Sequence, residues 1–215
     1  LGSPDSTNVG DVRRYLNQFL MDERVIDIPL LGRAILVKGI IVPFRAPKSA
    51  EAYKTIWTAN GSPLVETTRQ LQSLLQKRTK APVAIAMRYG KPSAKHAFEF
   101  LLEQEPALEE VIALPLYPHY AMSSYETAVE NVKFIHSRNK YPFNLKFVAP
   151  FYNHHRYINA LAASMEPYVG VDYDHILFSY HGVPGRHIRK SDTTGAHCLK
   201  IKDCCNVSSP AHATC

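Results

Sequence analysis

Four short apolar runs that alternate with helical patterns constrain the fold of this chain more than any other feature. The runs cover 82–87, 111–116, 145–150 and 175–180, and helical patterns lie between them at 93–104, 122–137 and 154–168. Apolar runs of this length are typical of strands covered on both faces, and strands that alternate with helices form parallel sheets. The sequence therefore predicts an α/β fold, with a parallel sheet flanked by helices.

The N-terminal part of the chain is predicted to be largely helical. Apolar spacing predicts a helix over 9–22, a short helix between loops within 26–42, a break at 43–47, and further helices over 48–57 and 63–77. Ser62 and Pro63 suit the N-cap and the first turn of the last of these helices. Ser123 and Glu126 have the spacing of a capping box for the helix that follows Tyr120.

The chain is expected to contain one domain and the start of another. The loop at 139–143 marks the boundary, which gives an N-terminal α/β domain over 1–143 and an incomplete second domain over 144–215. The first residue is Leu1 rather than Met, and the last is a cysteine within a cysteine-rich segment. We therefore expect residues to be missing at both ends.

Composition excludes several classes of protein. A chain of 215 residues with 46% hydrophobic content can bury a sizeable core, so it is neither disordered nor a disulfide miniprotein. The net charge of +6 is not concentrated in a basic stripe, and we expect no nucleic-acid partner. No apolar run approaches the roughly 20 residues of a transmembrane helix, so a cytoplasmic protein is expected.

The residues that follow each apolar run indicate the kind of ligand. In open parallel sheets, ligands bind beyond the carboxyl ends of the strands. The chain places Arg88 and Tyr89 after the first run, 117–120 after the second, 151–152 after the third, and His181 after the fourth. No glycine-rich phosphate motif occurs among them. A flat aromatic or anionic ligand is therefore favoured over a nucleotide.

His181 is the strongest single candidate for chemistry. It follows an apolar run, and Gly182 and Pro184 shape the turn behind it. A neutral imidazole at such a position can accept a proton or bind a metal near pH 7. The alternative is an ordinary loop histidine whose ring is hydrogen-bonded to a carbonyl.

Five ordered motifs resemble the ferrochelatase family. They are LGSP at 1–4, GSPL at 61–64, MRYG at 87–90, LYPHY at 116–120 and FSYHGVP at 178–184. The resemblance implies a chelatase-like fold of two similar Rossmann-like domains, with a porphyrin cleft between them. It also implies insertion of Fe²⁺ into protoporphyrin IX to form protohaem. His181 matches the family's active-site histidine, with Tyr180 in place of an alanine, while the partner glutamate belongs to a region nearer the C-terminus that this sequence lacks.

The resemblance assigns roles that suit metal insertion. The reaction removes two pyrrole protons, partly desolvates Fe²⁺ and distorts the ring. His181 is implied to be the base or first metal contact, Tyr117 and Tyr120 to be walls of the cleft, and Arg88 with Tyr89 to be the family's Arg-Tyr pair. The alternative for each tyrosine is ordinary packing, with its hydroxyl group at the surface.

Three further residues are implied to bind the propionates of the porphyrin. Arg45, Tyr53 and Ser62 follow one another at intervals similar to those of the family. An arginine can hold a carboxylate through two hydrogen bonds, and the amides at the start of the helix after Ser62 suit an anion. Ser62 can equally be an N-cap alone.

All four cysteines lie near the C-terminus, at Cys198, Cys204, Cys205 and Cys215. Adjacent cysteines fit poorly around one tetrahedral zinc ion. The segment resembles the internal cysteine-rich segment of ferrochelatases that carry a [2Fe-2S] cluster, and such a cluster needs four ligands. Whether all four residues are ligands, or one ligand lies beyond Cys215, stays open, as does a loop of reduced thiols.

The resemblance implies porphyrin and ferrous iron as substrates and no obligate protein partner. Coproporphyrin III insertion and a sirohydrochlorin-type chelatase are the enzymatic alternatives. A haem-binding or Fe-S sensor module is the alternative without turnover. Peripheral association with a membrane is left open.

Overall fold

The computed structural model describes residues 1–170 and 173–214, which divide into two compact units. The first unit comprises Leu1–Pro115 and Glu126–Phe147, and the second comprises Leu116–Tyr125 and Val148–Cys215. The described elements, in chain order, are α1 (Val9–Leu20), α2 (Leu30–Ala34), a π-helical segment (Ile35–Ile41), α3 (Val42–Ile56), α4 (Pro63–Gln76), α5 (Ala94–Gln104), β1 (Glu110–Ala113), a π-helical turn (Met122–Glu126), α6 (Thr127–Asn139), β2 (Asn144–Phe147), α7 (His155–Val169), α8 (Gly185–Ser191) and a 3₁₀ turn (Pro210–Thr214).

A helical core occupies the N-terminal half of the first unit. The buried face of α1 packs against α3 and the π-helical segment, and the cluster consists of Val12, Leu16, Leu20, Val37, Val42, Ala46 and Ala50. Alanines at positions four residues apart on α3 allow the two helices to approach closely. The helical spacing read in 9–22 is therefore confirmed.

The predicted break at 43–47 is wrong. Pro43 lies where the π-helical segment continues into α3, and Pro47 lies within the same helix. Val42, Ala46 and Ala50 are all buried along one face of α3. Their packing against α1 outweighs the hydrogen bond that Pro47 cannot donate.

A parallel pair of strands confirms the α/β class. β1 and β2 pair with Val111 opposite Leu145 and Ala113 opposite Phe147. A second core lies beside this pair, where Phe98, Leu101, Val111 and Phe143 are buried. The crossover between the two strands includes α6, as the alternation of strands and helices predicts.

Two of the four predicted strands are absent from the part of the chain that the structure describes. At 82–87 the structure has an isolated bridge at Met87 instead of a strand, and glutamine side chains of α4 bind the backbone: Gln72 Nε2 donates to the Val83 carbonyl at 2.6 Å, and the Val83 amide donates to Gln76 Oε1 at 2.8 Å. At 175–180 the chain forms neither helix nor strand, and Leu177 is 93% exposed. Apolar content alone does not make a strand without a neighbour to pair with.

The predicted capping box is also wrong. Ser123 and Glu126 lie in the π-helical turn that leads directly into α6. The Glu126 carboxylate instead accepts a hydrogen bond from Arg24 Nε at 2.9 Å. Over the described ranges, no helix is both long enough and apolar enough to cross a bilayer.

Candidate active site

The Arg88-Tyr89-Gly90 turn is held by the N-terminal residues of the chain. The Tyr89 amide donates to the Leu1 carbonyl at 2.8 Å. A Cβ atom on Gly2 would lie 1.8 Å from the Tyr89 carbonyl oxygen, and one on Gly90 would lie 2.4 Å from the Ser3 carbonyl oxygen. Both glycines also have positive φ angles, of 126° and 77°. The glycines of the LGSP and MRYG motifs are therefore required by the close approach of two backbone segments.

Arg88 lies in a polar network within the first unit. Its Nη2 atom donates to Asp22 Oδ2 at 2.5 Å, its Nε atom to the Thr127 hydroxyl at 2.8 Å, and its Nη1 atom to Asn131 Oδ1 at 3.3 Å. The guanidinium carbon also lies 4.5 Å from the centre of the Tyr89 ring. Three hydrogen bonds and the contact with the Tyr89 ring thus fix the orientation of the Arg88 side chain.

Asp22 is the acceptor at the centre of this network. Its carboxylate also receives hydrogen bonds from the Tyr89 hydroxyl at 2.9 Å, from the Thr127 hydroxyl, and from the Arg24 amide at 2.8 Å. Burial opposes ionisation of Asp22, but these hydrogen bonds and the charge of Arg88 outweigh burial and hold its pKa below the usual value. Burial raises the pKa of the Tyr89 phenol, which remains a neutral donor.

A pocket of about 300 Å³ opens beside this network. Its lining includes Arg88, Gln18, Gly90, Ser93 and Asn131, together with apolar surface from Met87, Ala94 and Ile135. The Gly90 amide donates to Gln18 Oε1 at 3.0 Å, which joins α1 to the pocket rim. Polar groups and an apolar wall thus meet at this pocket.

The three residues expected at the propionates also belong to the first unit. Arg45 is exposed on α3, and Tyr53 is partly buried on the same helix. The rings of Tyr53 and Tyr89 both make edge-on contacts with Tyr15, with centroids 6.4 Å apart in each case. Ser62 is buried at the N-cap of α4, but its side chain does not accept a capping hydrogen bond.

The remaining candidates belong to the second unit. Tyr117 and Tyr120 are partly buried, and Tyr120 lies 5.9 Å from Tyr125 between ring centres. His181 is exposed in the segment that precedes α8, and the neighbouring Tyr180 is 86% exposed. The wall and base roles of these residues stay predictions.

The cysteine-rich segment folds around Asp192. Its Oδ2 atom accepts from the amides of His197 and Cys198, each at 2.8 Å, and its Oδ1 atom accepts from the Thr194 amide at 2.9 Å and hydroxyl at 2.6 Å. These hydrogen bonds keep the pKa of Asp192 far below its usual value. The loop is therefore ordered by backbone contacts to one carboxylate.

The cysteines differ in their surroundings. Cys198 is buried, Cys204 is partly buried and Cys205 is exposed, whereas Cys215 lies outside the described residues. His197 and His212 each place Nε2 against the Cys204 carbonyl, at 2.7 and 3.0 Å. Among the residues that the structure describes, no three His, Cys, Asp or Glu side chains converge on a metal position.

Sequence reasoning missed Asp22, Thr127 and Asn131. Asp22 reads as an ordinary acidic residue after a helix, and it is separated from Arg88 and Thr127 by 66 and 105 positions. No local pattern links residues at such separations. The one available signal was the charged Arg88 directly after an apolar run, since a charge that is partly removed from water requires a partner.

Comparison with known proteins identifies the family. The family model described as Ferrochelatase matches residues 1–209. Ferrochelatases of Opitutus terrae and Pseudomonas fluorescens are 49% and 46% identical to this chain, over all of its length and 63% of theirs. A ferrochelatase of Stutzerimonas stutzeri is also 46% identical, over the same shares. The chain thus spans somewhat under two thirds of the length of these relatives, and it belongs to the ferrochelatase family.

Proposed function

We propose that the protein inserts Fe²⁺ into protoporphyrin IX to form protohaem. The observation that carries this proposal is the 49% identity to a ferrochelatase across the whole chain, which includes all five motifs. The structure supports it with an oriented Arg88 beside a pocket and an accessible imidazole at His181. In this proposal His181 takes the pyrrole protons or first contacts the metal, and Tyr117 and Tyr120 form walls of the porphyrin site.

The propionates of the porphyrin are proposed to bind at Arg45, Tyr53 and Ser62. Arg45 is an exposed cation on α3, and Tyr53 lies two helical turns further along the same helix. Burial raises the pKa of the Tyr53 phenol, which favours a neutral hydrogen-bond donor toward a carboxylate. Because the Ser62 hydroxyl makes no capping hydrogen bond, the amides of the first turn of α4 remain suited to an anion.

A comparison of substrates tests the proposed reaction. Anaerobic full-length protein is supplied with Fe²⁺ and, in parallel, with protoporphyrin IX, coproporphyrin III or sirohydrochlorin, and the loss of free tetrapyrrole is followed by absorbance. We expect the highest kcat/KM with protoporphyrin IX. A preference for coproporphyrin III would mean that the proposed substrate is wrong. Turnover of sirohydrochlorin alone would mean that the proposed reaction is wrong.

We further propose that Cys198, Cys204, Cys205 and Cys215 hold a [2Fe-2S] cluster, and the chemistry of this donor set fits one. Four thiolates within one short segment suit such a cluster, and Asp192 orders the loop that carries Cys198. A bound cluster supplies one-electron redox chemistry. This chain's own contribution is to present the cysteines from a segment in which Asp192 accepts hydrogen bonds from the amides of Thr194, His197 and Cys198.

Replacement of a single cysteine tests the cluster. We expect the anaerobically purified full-length protein to be reddish-brown, with about two irons per chain and visible absorption that bleaches on reduction. Cys198→Ser should remove the colour, and Ser208→Ala in the same segment should keep it. Colourless, iron-free wild-type protein that inserts iron at full rate would refute the cluster but not the ferrochelatase proposal.

Peripheral association with a membrane is also proposed. Five apolar side chains around α2 are more than half exposed: Leu30, Leu31, Ile35, Ile40 and Phe44. Exposed apolar side chains close together in the sequence are typical of an interaction site. Flotation with phosphatidylglycerol vesicles should therefore recover the wild-type protein and less of the Leu31→Ser variant, and equal recovery would argue against membrane contact.

A further inference from the structure

Asp22 carries a buried carboxylate that no step of the proposed reaction uses. Its side chain is 3% exposed, and it follows directly on the C-terminal end of α1. Burial of a charge is costly unless the charge is paired and hydrogen-bonded. Arg88 supplies the opposite charge, and Tyr89, Thr127 and the Arg24 amide supply the hydrogen bonds. Such a complete set of partners around one carboxylate indicates a specific role.

The guanidinium group of Arg88, the charged partner of Asp22, is held in one orientation. A guanidinium group is planar and carries five N–H donors in fixed directions. Asp22, Thr127 and Asn131 each bind a different nitrogen of Arg88, and the ring of Tyr89 lies 4.5 Å from its central carbon. Two of these partners, Thr127 and Tyr89, are themselves hydrogen-bonded to Asp22. The carboxylate therefore orients Arg88 directly and through both neighbours.

The exposed edge of Arg88 lies at the pocket. The side chain is 22% exposed, and it lines the 300 Å³ space together with Gln18 and Asn131. The three hydrogen bonds described above use only part of its donor capacity, which leaves N–H groups for a ligand. Asp22 does not line the pocket. A ligand can thus touch Arg88 without touching the carboxylate that holds it.

We propose that Asp22 is a positioning residue that acts on the porphyrin site through Arg88. The Asp22 carboxylate keeps the Arg88 guanidinium facing the pocket, where the guanidinium binds substrate. Tyr89 and Thr127, which contact both Asp22 and Arg88, hold it in the same orientation. This inference rests on the proposed function, since it assigns the substrate of that reaction to the pocket beside Arg88. Small displacements of a positioning group cost up to about 100-fold in rate.

A double-mutant cycle tests whether Asp22 acts through Arg88. Fe²⁺ insertion into protoporphyrin IX is measured for the full-length wild type, Asp22→Asn, Arg88→Met and the double variant. Asp22→Asn keeps the size of the side chain and should lower kcat/KM by about 10- to 100-fold. In the Arg88→Met background the same change should cost less than twofold. Losses that multiply, or a wild-type rate in Asp22→Asn, would overturn the proposal.

Asp11→Asn is the matched control. Asp11 lies on α1 and forms an ion pair with Arg14, and among the residues that the structure describes no hydrogen bond or ion pair joins it to the Arg88 network. Its kcat/KM should stay within twofold of wild type. If Asp22→Asn does not fold, Thr127→Val replaces it in the cycle, because it removes the hydroxyl group that joins Asp22 to Arg88 Nε. The same loss of additivity is expected, and additive effects would again contradict the proposal.

A spectroscopic measurement separates this inference from the proposed function. The Arg88 Nε–H group, bound to Thr127, should give an exchange-protected signal in ¹H–¹⁵N spectra of the wild type, assigned by its loss in Arg88→Met. The signal should shift or broaden in Asp22→Asn but not in Asp11→Asn. If the signal is unchanged in Asp22→Asn, Asp22 does not position Arg88, even if the enzyme is active. If the signal changes as expected but the protein inserts no iron, only the proposed function is refuted.

Discussion

Arg88 and His181 differ in what orients them. Arg88 has partners from the end of α1 and from α6, and its turn is held by the N-terminal residues of the chain. Within the described ranges, the His181 side chain makes no hydrogen bond, ion pair or ring contact, and it lies in an exposed segment before α8. The partly buried guanidinium of Arg88 is thus held by a network of residues distant in sequence, whereas the exposed imidazole of His181 lies in one continuous motif.

The same difference explains what could be predicted. The motif around His181 is continuous in sequence, so the resemblance located this residue directly. Asp22 is 66 positions from Arg88, and only the folded chain brings the two together. The helices α1, α4 and α5 were predicted because their apolar spacing reflects local geometry. The strand predicted at 82–87 was wrong because glutamines of α4 bind its backbone.

The largest expected effect on the rate of iron insertion is at the exposed residue, His181. His181→Ala in the full-length protein should lower the rate of iron insertion by at least about 100-fold, because the proposed proton acceptor and first metal contact is lost. Porphyrin binding, measured by fluorescence quenching, should change little. Retention of a tenth of the wild-type rate would show that His181 is not the essential group.

Glycine substitutions compare the two turns directly. Gly90→Ala should lower the free energy of unfolding by about 2 kcal/mol, because φ is positive and the new Cβ would lie 2.4 Å from the Ser3 carbonyl oxygen. A Cβ atom on Gly182, next to His181, would meet no atom of the described residues within 4 Å apart from its chain neighbours, so Gly182→Ala should have little effect. Equal losses of unfolding free energy in Gly90→Ala and Gly182→Ala, measured with urea, would contradict the difference between the two turns.

Arg45 tests whether an exposed cation on α3 contributes to porphyrin binding. Arg45→Ala should raise KM for the porphyrin about tenfold and change kcat less, since a propionate contact serves ground and transition states alike. Lys48→Ala on the same helix is the control and should leave KM unchanged. An unaltered KM in Arg45→Ala would place the propionates elsewhere.

The smallest effect concerns acid sensitivity. The pKa of Asp22 in the folded state lies below its ordinary value, so its ionised form stabilises the fold above that value and the contribution is lost as pH falls through the folded pKa. The free energy of unfolding of wild type should therefore decrease more steeply below about pH 4 than that of Asp22→Asn. Parallel curves would show that the carboxylate is not held ionised by its network.

The most direct test of the proposed ferrochelatase measures binding and turnover on one preparation of the full-length protein. Protoporphyrin IX is titrated by fluorescence, Fe²⁺ is then added anaerobically, and the appearance of protohaem is followed by its absorbance. We expect saturable binding followed by repeated turnover, which requires more protohaem than protein. Binding of porphyrin or haem without any insertion of iron would contradict the proposed reaction and favour a haem-binding module.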